Sequence, residues 1–174
     1  MNMRYLNPWF RYVSVVVLLT FAVACQSSTE TKENNLIVVG TNKLTNSDLA
    51  AAVVKYYEAE NKKDWRATHN ARTPEYRKLV PFDSYKKAMD KGMADWKLKK
   101  IEILEATQSQ DGAITVKIRF HEEFGPQAAQ IHFEGRVTRG MNTRIETTVW
   151  KHSDDGWFCA NAGERGRIPE PLAN

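Results

Sequence analysis

At Trp96 the hydrophobic period of this chain changes from about 3.6 residues to 2, and that change limits the folds open to it. Before it, Leu49, Ala52, Val53, Tyr56, Tyr57 and Glu60 trace a largely apolar stripe at helical spacing. After it, Ile114, Val116, Ile118 and Phe120 alternate with Thr115, Lys117, Arg119 and His121. One polar and one apolar face per strand describes an antiparallel sheet covered on one side. The helices are the available cover. Helices first and strands second predict an α+β fold, with one domain over residues 47–165. The roughly 120 residues after Thr45 suffice for one core and not for two.

The helical half divides at its breakers. Thr45 and Ser47 are N-cap types, and Thr45-x-x-Asp48 has the spacing of a capping box. Asn61-Lys62-Lys63-Asp64 ends the first helix, and Asp64 can cap a second at Trp65. Pro74 opens a short turn through Tyr76 and Leu79. Asp83 or Ser84 starts a third helix that buries Tyr85, Ala88, Met89 and Met93, with Gly92 weakening its last turn. In the second half Ile101 and Ile103 lie in a first strand. Ile131, Phe133 and Val137 predict a further strand with His132, Glu134 and Arg136 on its other face. Ile145, Thr147 and Val149 then alternate with Glu146, Thr148 and Trp150. Asp154-Asp155-Gly156 marks the turn into a last strand at 157–161.

The N-terminal region reads as an address. Met1 to Arg11 carries Arg4 and Arg11 and no acidic residue, and Val13 to Ala24 is apolar except for Ser14 and Thr20. That apolar run falls short of the roughly 20 residues of a membrane-spanning helix. A cleaved export signal over residues 1–24 fits its length and flanks. The end of the segment, Phe21-Ala22-Val23-Ala24-Cys25, resembles the lipobox of bacterial lipoproteins, where a peptidase cuts before a cysteine coupled to diacylglycerol. The resemblance implies acylation at Cys25, with chains such as palmitate, and permanent attachment to a membrane through several of them. Gln26 after the cysteine resembles the pattern of lipoproteins sorted to the outer membrane, facing the periplasm. Ala22 stands where Leu is usual, and Ala22-Val23-Ala24 also fits ordinary secretion, so a periplasmic or secreted protein stays open. Residues 25–46 read as a flexible tether, polar from Gln26 to Asn35. The apolar run Leu36-Ile37-Val38-Val39 within it is an edge strand or an apolar piece of the tether, and the strand is the preferred reading. Residues 166–174 read as a C-terminal tail.

Charge and cysteine usage fit an exported protein. The chain holds 25 Lys+Arg and 21 Asp+Glu, with residues 55–100 net +6 and 101–174 net −3. An exported basic half meets anionic lipid or cell-wall polymer rather than nucleic acid. Lys62, Lys63, Arg66, Lys86, Lys87, Lys97, Lys99 and Lys100 would form such a patch. The simpler reading disperses them among Glu58, Asp64, Asp90 and Asp95 as solubilising charge. With Cys25 lipidated, Cys159 is left single in the apolar stretch Trp157-Phe158-Cys159-Ala160, where it reads as a small buried hydrophobe.

The run from Ala52 to Trp65, with its paired tyrosines, polar break and Asp64, resembles the first helices of the nuclear transport factor 2-like superfamily. Asp154-Asp155-Gly156-Trp157-Phe158 is similar to the last hairpin of exported members. The resemblance covers about residues 47–161 by element order and rests on those two stretches. It implies a cone, in which a curved antiparallel sheet wraps a long helix around a pocket, with no parallel pairing and no helix after residue 115. Leu36 to Val39 falls outside that pattern.

Some members of that superfamily are isomerases, dehydratases or cyclases that place a His or Asp with a Tyr inside the cone for proton transfer, which needs a perturbed pKa in a dry site. Tyr56, Tyr57, His69 and Tyr76 are the candidates here, although no enzyme's pattern maps onto them residue by residue. The plainer reading makes the tyrosines amphipathic core residues and His69 a boundary histidine. His121-x-Glu123 and His132-x-Glu134 repeat one spacing, and residues two apart on a strand share a face. Four such groups on adjacent strands would suit zinc, or would be ordinary charge on an exposed sheet face. No cofactor is implied, and G-x-S-x-G, H-E-x-x-H, C-x-x-C and phosphate-binding glycine loops are absent. The function expected is a non-catalytic module binding a small apolar ligand or an envelope protein at the membrane, with a pocket enzyme as the alternative.

Overall fold

The computed structural model describes residues 35–133 and 140–161. The expected export signal, Cys25, Glu134, Arg136, Val137 and residues 162–174 lie outside them. A five-stranded sheet in the order β1-β2-β3-β4-β5 curls as a half-barrel around helices, an α+β fold. Strand β1 (Ile37–Val39) is followed by four helices: α1 (Ser47–Lys62), α2 (Trp65–Asn70), α3 (Pro74–Leu79) and α4 (Phe82–Gly92). Strands β2 (Trp96–Gln108) and β3 (Ile114–Phe124), helix α5 (Pro126–Phe133), and strands β4 (Gly140–Ser153) and β5 (Gly156–Cys159) complete it. Among the described residues no helix is long and apolar enough to cross a membrane.

Two expectations about the sheet and its start are corrected. Leu36 to Val39 does enter an edge strand, but it pairs parallel to β2, with Val38 opposite Ile101. A parallel pair needs a long crossover, and α1 to α4 supply it. Residues 37–39, expected within the tether, therefore belong to the sheet. Gly40 closes this corner with φ +80, and a Cβ there would stand 2.4 Å from the Ile103 carbonyl oxygen. Only glycine fits both demands.

Helix boundaries follow their caps. The N-cap of α1 is Asn46, whose side chain accepts from the Asp48 and Leu49 amides at 2.9 Å each, so the expected Thr45 box does not form. Asp64 caps α2 as expected, accepting from Ala67 at 3.0 Å. Between them Lys63 takes φ 59, and its Nζ donates to the carbonyls of Met93, Ala94 and Trp96. That amine thereby ties the end of α1 to the α4–β2 link. Pro74 stands at the first position of α3, where its missing N–H costs nothing.

The larger correction lies after residue 115. Residues 126–133 form helix α5, where a strand through Ile131 and Phe133 was expected. The cause is Asp95, which is remote in sequence. Its carboxylate accepts from the Gln127 and Ala128 amides at 2.8 and 2.7 Å, and its carbonyl accepts from Gly125 at 3.0 Å. A side-chain cap and Pro126 in the first turn start the helix. Ala128 and Ala129 then bury against the core. Both α5 and the parallel β1 depart from the pattern that the family resemblance implied.

Strand faces follow register. In β3, Val116, Ile118 and Phe120 point inward as expected, and Glu122 follows them. Strand β4 inverts the simple reading. Arg144 sits opposite Phe120 and Thr148 opposite Val116, and directly opposed residues share a face. Arg144, Glu146, Thr148 and Trp150 therefore turn inward, and Ile145 is left exposed. Burying Trp150 outweighs burying Ile145 and Val149, because the indole removes more apolar surface from water.

If Asp95 nucleates α5, Asp95→Ala should lower unfolding stability by about 1 kcal/mol. Amide exchange should quicken over residues 126–133, while Asp95→Asn, which can still cap, should retain most of the protection. Unchanged exchange in Asp95→Ala would remove the cap from the account.

Candidate functional site

Helix α1 places Tyr56, Tyr57 and Glu60 on its buried side. Tyr57 meets Phe120 edge-on at 5.3 Å, and Tyr56 meets Trp150 at 5.7 Å. Across from them α2 and α4 supply a second aromatic group. His69 is buried, with ring centroids 5.1 Å from Tyr85, 5.6 Å from Phe82 and 6.5 Å from Tyr76. Its Nε2 lies 2.8 Å from the Val80 carbonyl oxygen. Only a protonated Nε2 can donate there, so this nitrogen is committed to the backbone. Tyr85 donates to Thr68 Oγ1 at 3.2 Å.

Burial pushes the hydroxyls of these tyrosines away from neutrality. Tyr76 is raised to about 12, mainly by burial and against the opposing charge of Arg72. Tyr56 and Tyr85 are also raised, burial again being the first cause. A proton-transfer catalyst needs a group poised near the working pH. The structure brings Tyr56, His69 and Tyr76 into one region but leaves them protonated or committed.

The residue that organises this region is Arg72, which the sequence did not single out. It is fully buried at the end of α2, with its guanidinium 4.5 Å above the Tyr76 ring. It donates to Cys159 Sγ at 3.4 Å and to the Asn161 carbonyl. Burial alone would lower its pKa, but Cys159, Tyr56 and Tyr76 more than reverse this, so it stays charged. Cys159 is buried, as its apolar neighbours predict. Its amide donates to the Ala71 carbonyl at 2.9 Å, pinning β5 to the end of α2.

That pin shapes a groove of about 400 Å³ between α1, α2 and β5. Its helical walls carry Ala52, Ala59, Ala67 and Ala71, whose small side chains leave the space open. Tyr56, Trp157 and Phe158 line it with aromatic surface, and Lys55 and Asn70 are its exposed polar members.

The histidine–glutamate repeat is described only in part. His121 and Glu123 lie on the outer face of β3. His121 stands 3.4 Å from Glu102, and Glu123 pairs with Lys99 at 3.1 Å. Hydrogen bonds from Lys100 and Arg119 hold Glu102 down at about 2. His132 belongs to helix α5 rather than to an adjacent strand, and Glu134 lies outside the described residues. Among the described residues no three His, Cys, Asp or Glu side chains are placed to hold a metal ion.

Several of the basic residues of 55–100 have partners. Lys63 caps backbone carbonyls, Arg66 stacks 3.3 Å from the Phe82 ring centroid, and Lys86 pairs with Asp90. Lys99 and Lys100 pair with Glu123 and Glu102.

A second polar group was hidden by its strand pattern. Glu122, fully buried on the concave face, accepts from Trp96 Nε1 at 2.6 Å and is ion-paired to Arg144. Arg144 also reaches Glu146 at 2.7 Å. His121-x-Glu123 drew attention to the wrong parity, because Glu122 between them shares the inward phase of Phe120 and Phe124. Arg144→Met should strand the buried carboxylate and cost about 2 kcal/mol or more. The double variant with Glu122→Gln should recover part of that loss in denaturant unfolding, and strict additivity would argue against the pair.

Neither a protein-family model nor a curated protein sequence matches this chain. The reading of its site rests on its own geometry.

Proposed function

We propose that this chain is a non-catalytic binding module, exported and held at the cell envelope through lipid on Cys25. Its binding site is the groove between α1, α2 and β5. The observation that carries the reading is the groove itself, an open space of about 400 Å³ walled by alanines and aromatic rings. Ligand pockets are commonly of roughly 300–1,000 Å³ and mostly apolar, with few polar groups. The groove is at the small end of that range, suited to one slender apolar molecule.

Proton-transfer catalysis finds no support in the same residues. Tyr56, the one tyrosine lining the groove, is held protonated by burial. His69 spends Nε2 on the Val80 carbonyl. Kinship with the nuclear transport factor 2-like superfamily is supported by the order of α1 to α4 and four antiparallel strands. Helix α5 and the parallel β1 count against it, and the binding reading does not depend on it.

The test is mass spectrometry on protein released from its own membrane. Under denaturing conditions the mature chain should begin at Cys25 and carry acyl chains. Under native conditions it should carry in addition a small non-covalent ligand, lost in Ala67→Trp, which fills the groove. An unmodified Cys25 would overturn the anchor. A ligand retained in Ala67→Trp would move the site elsewhere.

A further inference from the structure

The polar groups of the groove point to the chemistry of its ligand, on the reading that the groove binds one. We infer that it takes a single-chain amphiphile with an anionic head, a carboxylate or a phosphate. Two observations carry this. First, no carboxylate side chain lines the groove. Its exposed charged member is Lys55, one turn from Ala52 and Ala59 on α1. Second, a buried polar atom in its lining residues, the Trp157 indole nitrogen, has no hydrogen-bond partner among the described residues. An indole N–H can only donate. The other polar lining residue of α1, Tyr56, is met on the core side by the Arg72 guanidinium.

A buried polar group without a partner is costly, and a donor without an acceptor is relieved by a ligand that brings one. The alanine walls and the rings of Trp157 and Phe158 offer apolar surface, at about 0.8 kcal/mol per methylene removed from water. An acyl chain meets the apolar walls and an anionic head meets the cation at the rim. A cationic head would face Lys55 instead. The volume favours one chain over the two of a phospholipid.

Titration calorimetry on the exported chain carrying Cys25→Ala, with the signal over residues 1–24 removed, tests this with four probes below their micelle concentrations. These are dodecanoate, dodecyl phosphate, dodecanol and dodecyltrimethylammonium. At least one of the two anions should bind about fivefold or more tightly than the cation. Whichever anion binds better identifies the head as fatty-acid-like or lysophospholipid-like. Lys55→Glu, at an exposed position that does not threaten the fold, should erase the preference, read as the ratio of anion to cation affinity. Equal binding of anions and cation, or a preference that survives Lys55→Glu, overturns the inference and leaves the groove as a binding site for apolar molecules. Absence of binding by all four probes overturns the groove reading along with it.

Discussion

The edge-on contacts of Tyr56 and Tyr57 with Trp150 and Phe120 hold α1 against the concave face of the sheet, and most of the molecule is arranged around them. Aromatic pairs of this kind add about 0.5–1.5 kcal/mol each beyond the area they bury. Fixing α1 there fixes the side it presents to α2 and β5. The groove is thus a consequence of the core. Where α1 turns its large residues inward, its alanines and Lys55 are left facing the gap. Replacing those alanines with larger residues would close the site without touching the aromatic core.

Buried polarity is handled in two separate places. On the concave face Glu122, Trp96 and Arg144 satisfy one another across β2, β3 and β4. Behind the groove Arg72 is neutralised by no carboxylate in the bonds described for it; it rests on a thiol, a backbone carbonyl and a tyrosine ring. Its charge is felt more strongly there than in water, and the buried Glu60 of α1 opposes it at Tyr56. The concave cluster is closed on itself, and its role is to keep the half-barrel in one register. The Arg72 cluster lies beside Tyr56, which lines the groove, and that difference is why the proposed site is there.

Much of the fold was legible in local pattern. The change of period at Trp96, the stripe on α1, the Asp64 cap and the inward face of β3 depend on neighbours within a few residues, where spacing carries information. What escaped depends on contacts distant in the chain. Helix α5 is started by Asp95, more than 30 residues upstream, so its own residues looked like a strand. The inward face of β4 is set by pairing with β3, and hydrophobicity alone put Ile145 on the wrong side. The capping box at Thr45 lost to Asn46 one residue later, a choice that turns on backbone geometry rather than on residue type. For the site, Tyr56 and Cys159 were recognised as buried, but Arg72 could not be found, since its partner lies 87 residues away. The alternation of Glu122 with its flanking residues was visible. A charge on an apolar face was the signal that could have found it.

The central claim is that binding occurs outside the cone, in the groove between α1, α2 and β5. Nuclear magnetic resonance mapping with a lipid extract of the protein's own membrane tests it most directly. The account predicts shifts confined to the methyl groups of Ala52, Ala59, Ala67 and Ala71 and to the Trp157 indole. Shifts centred instead on Trp96, Glu122 and Arg144 would place the ligand on the concave face and contradict it.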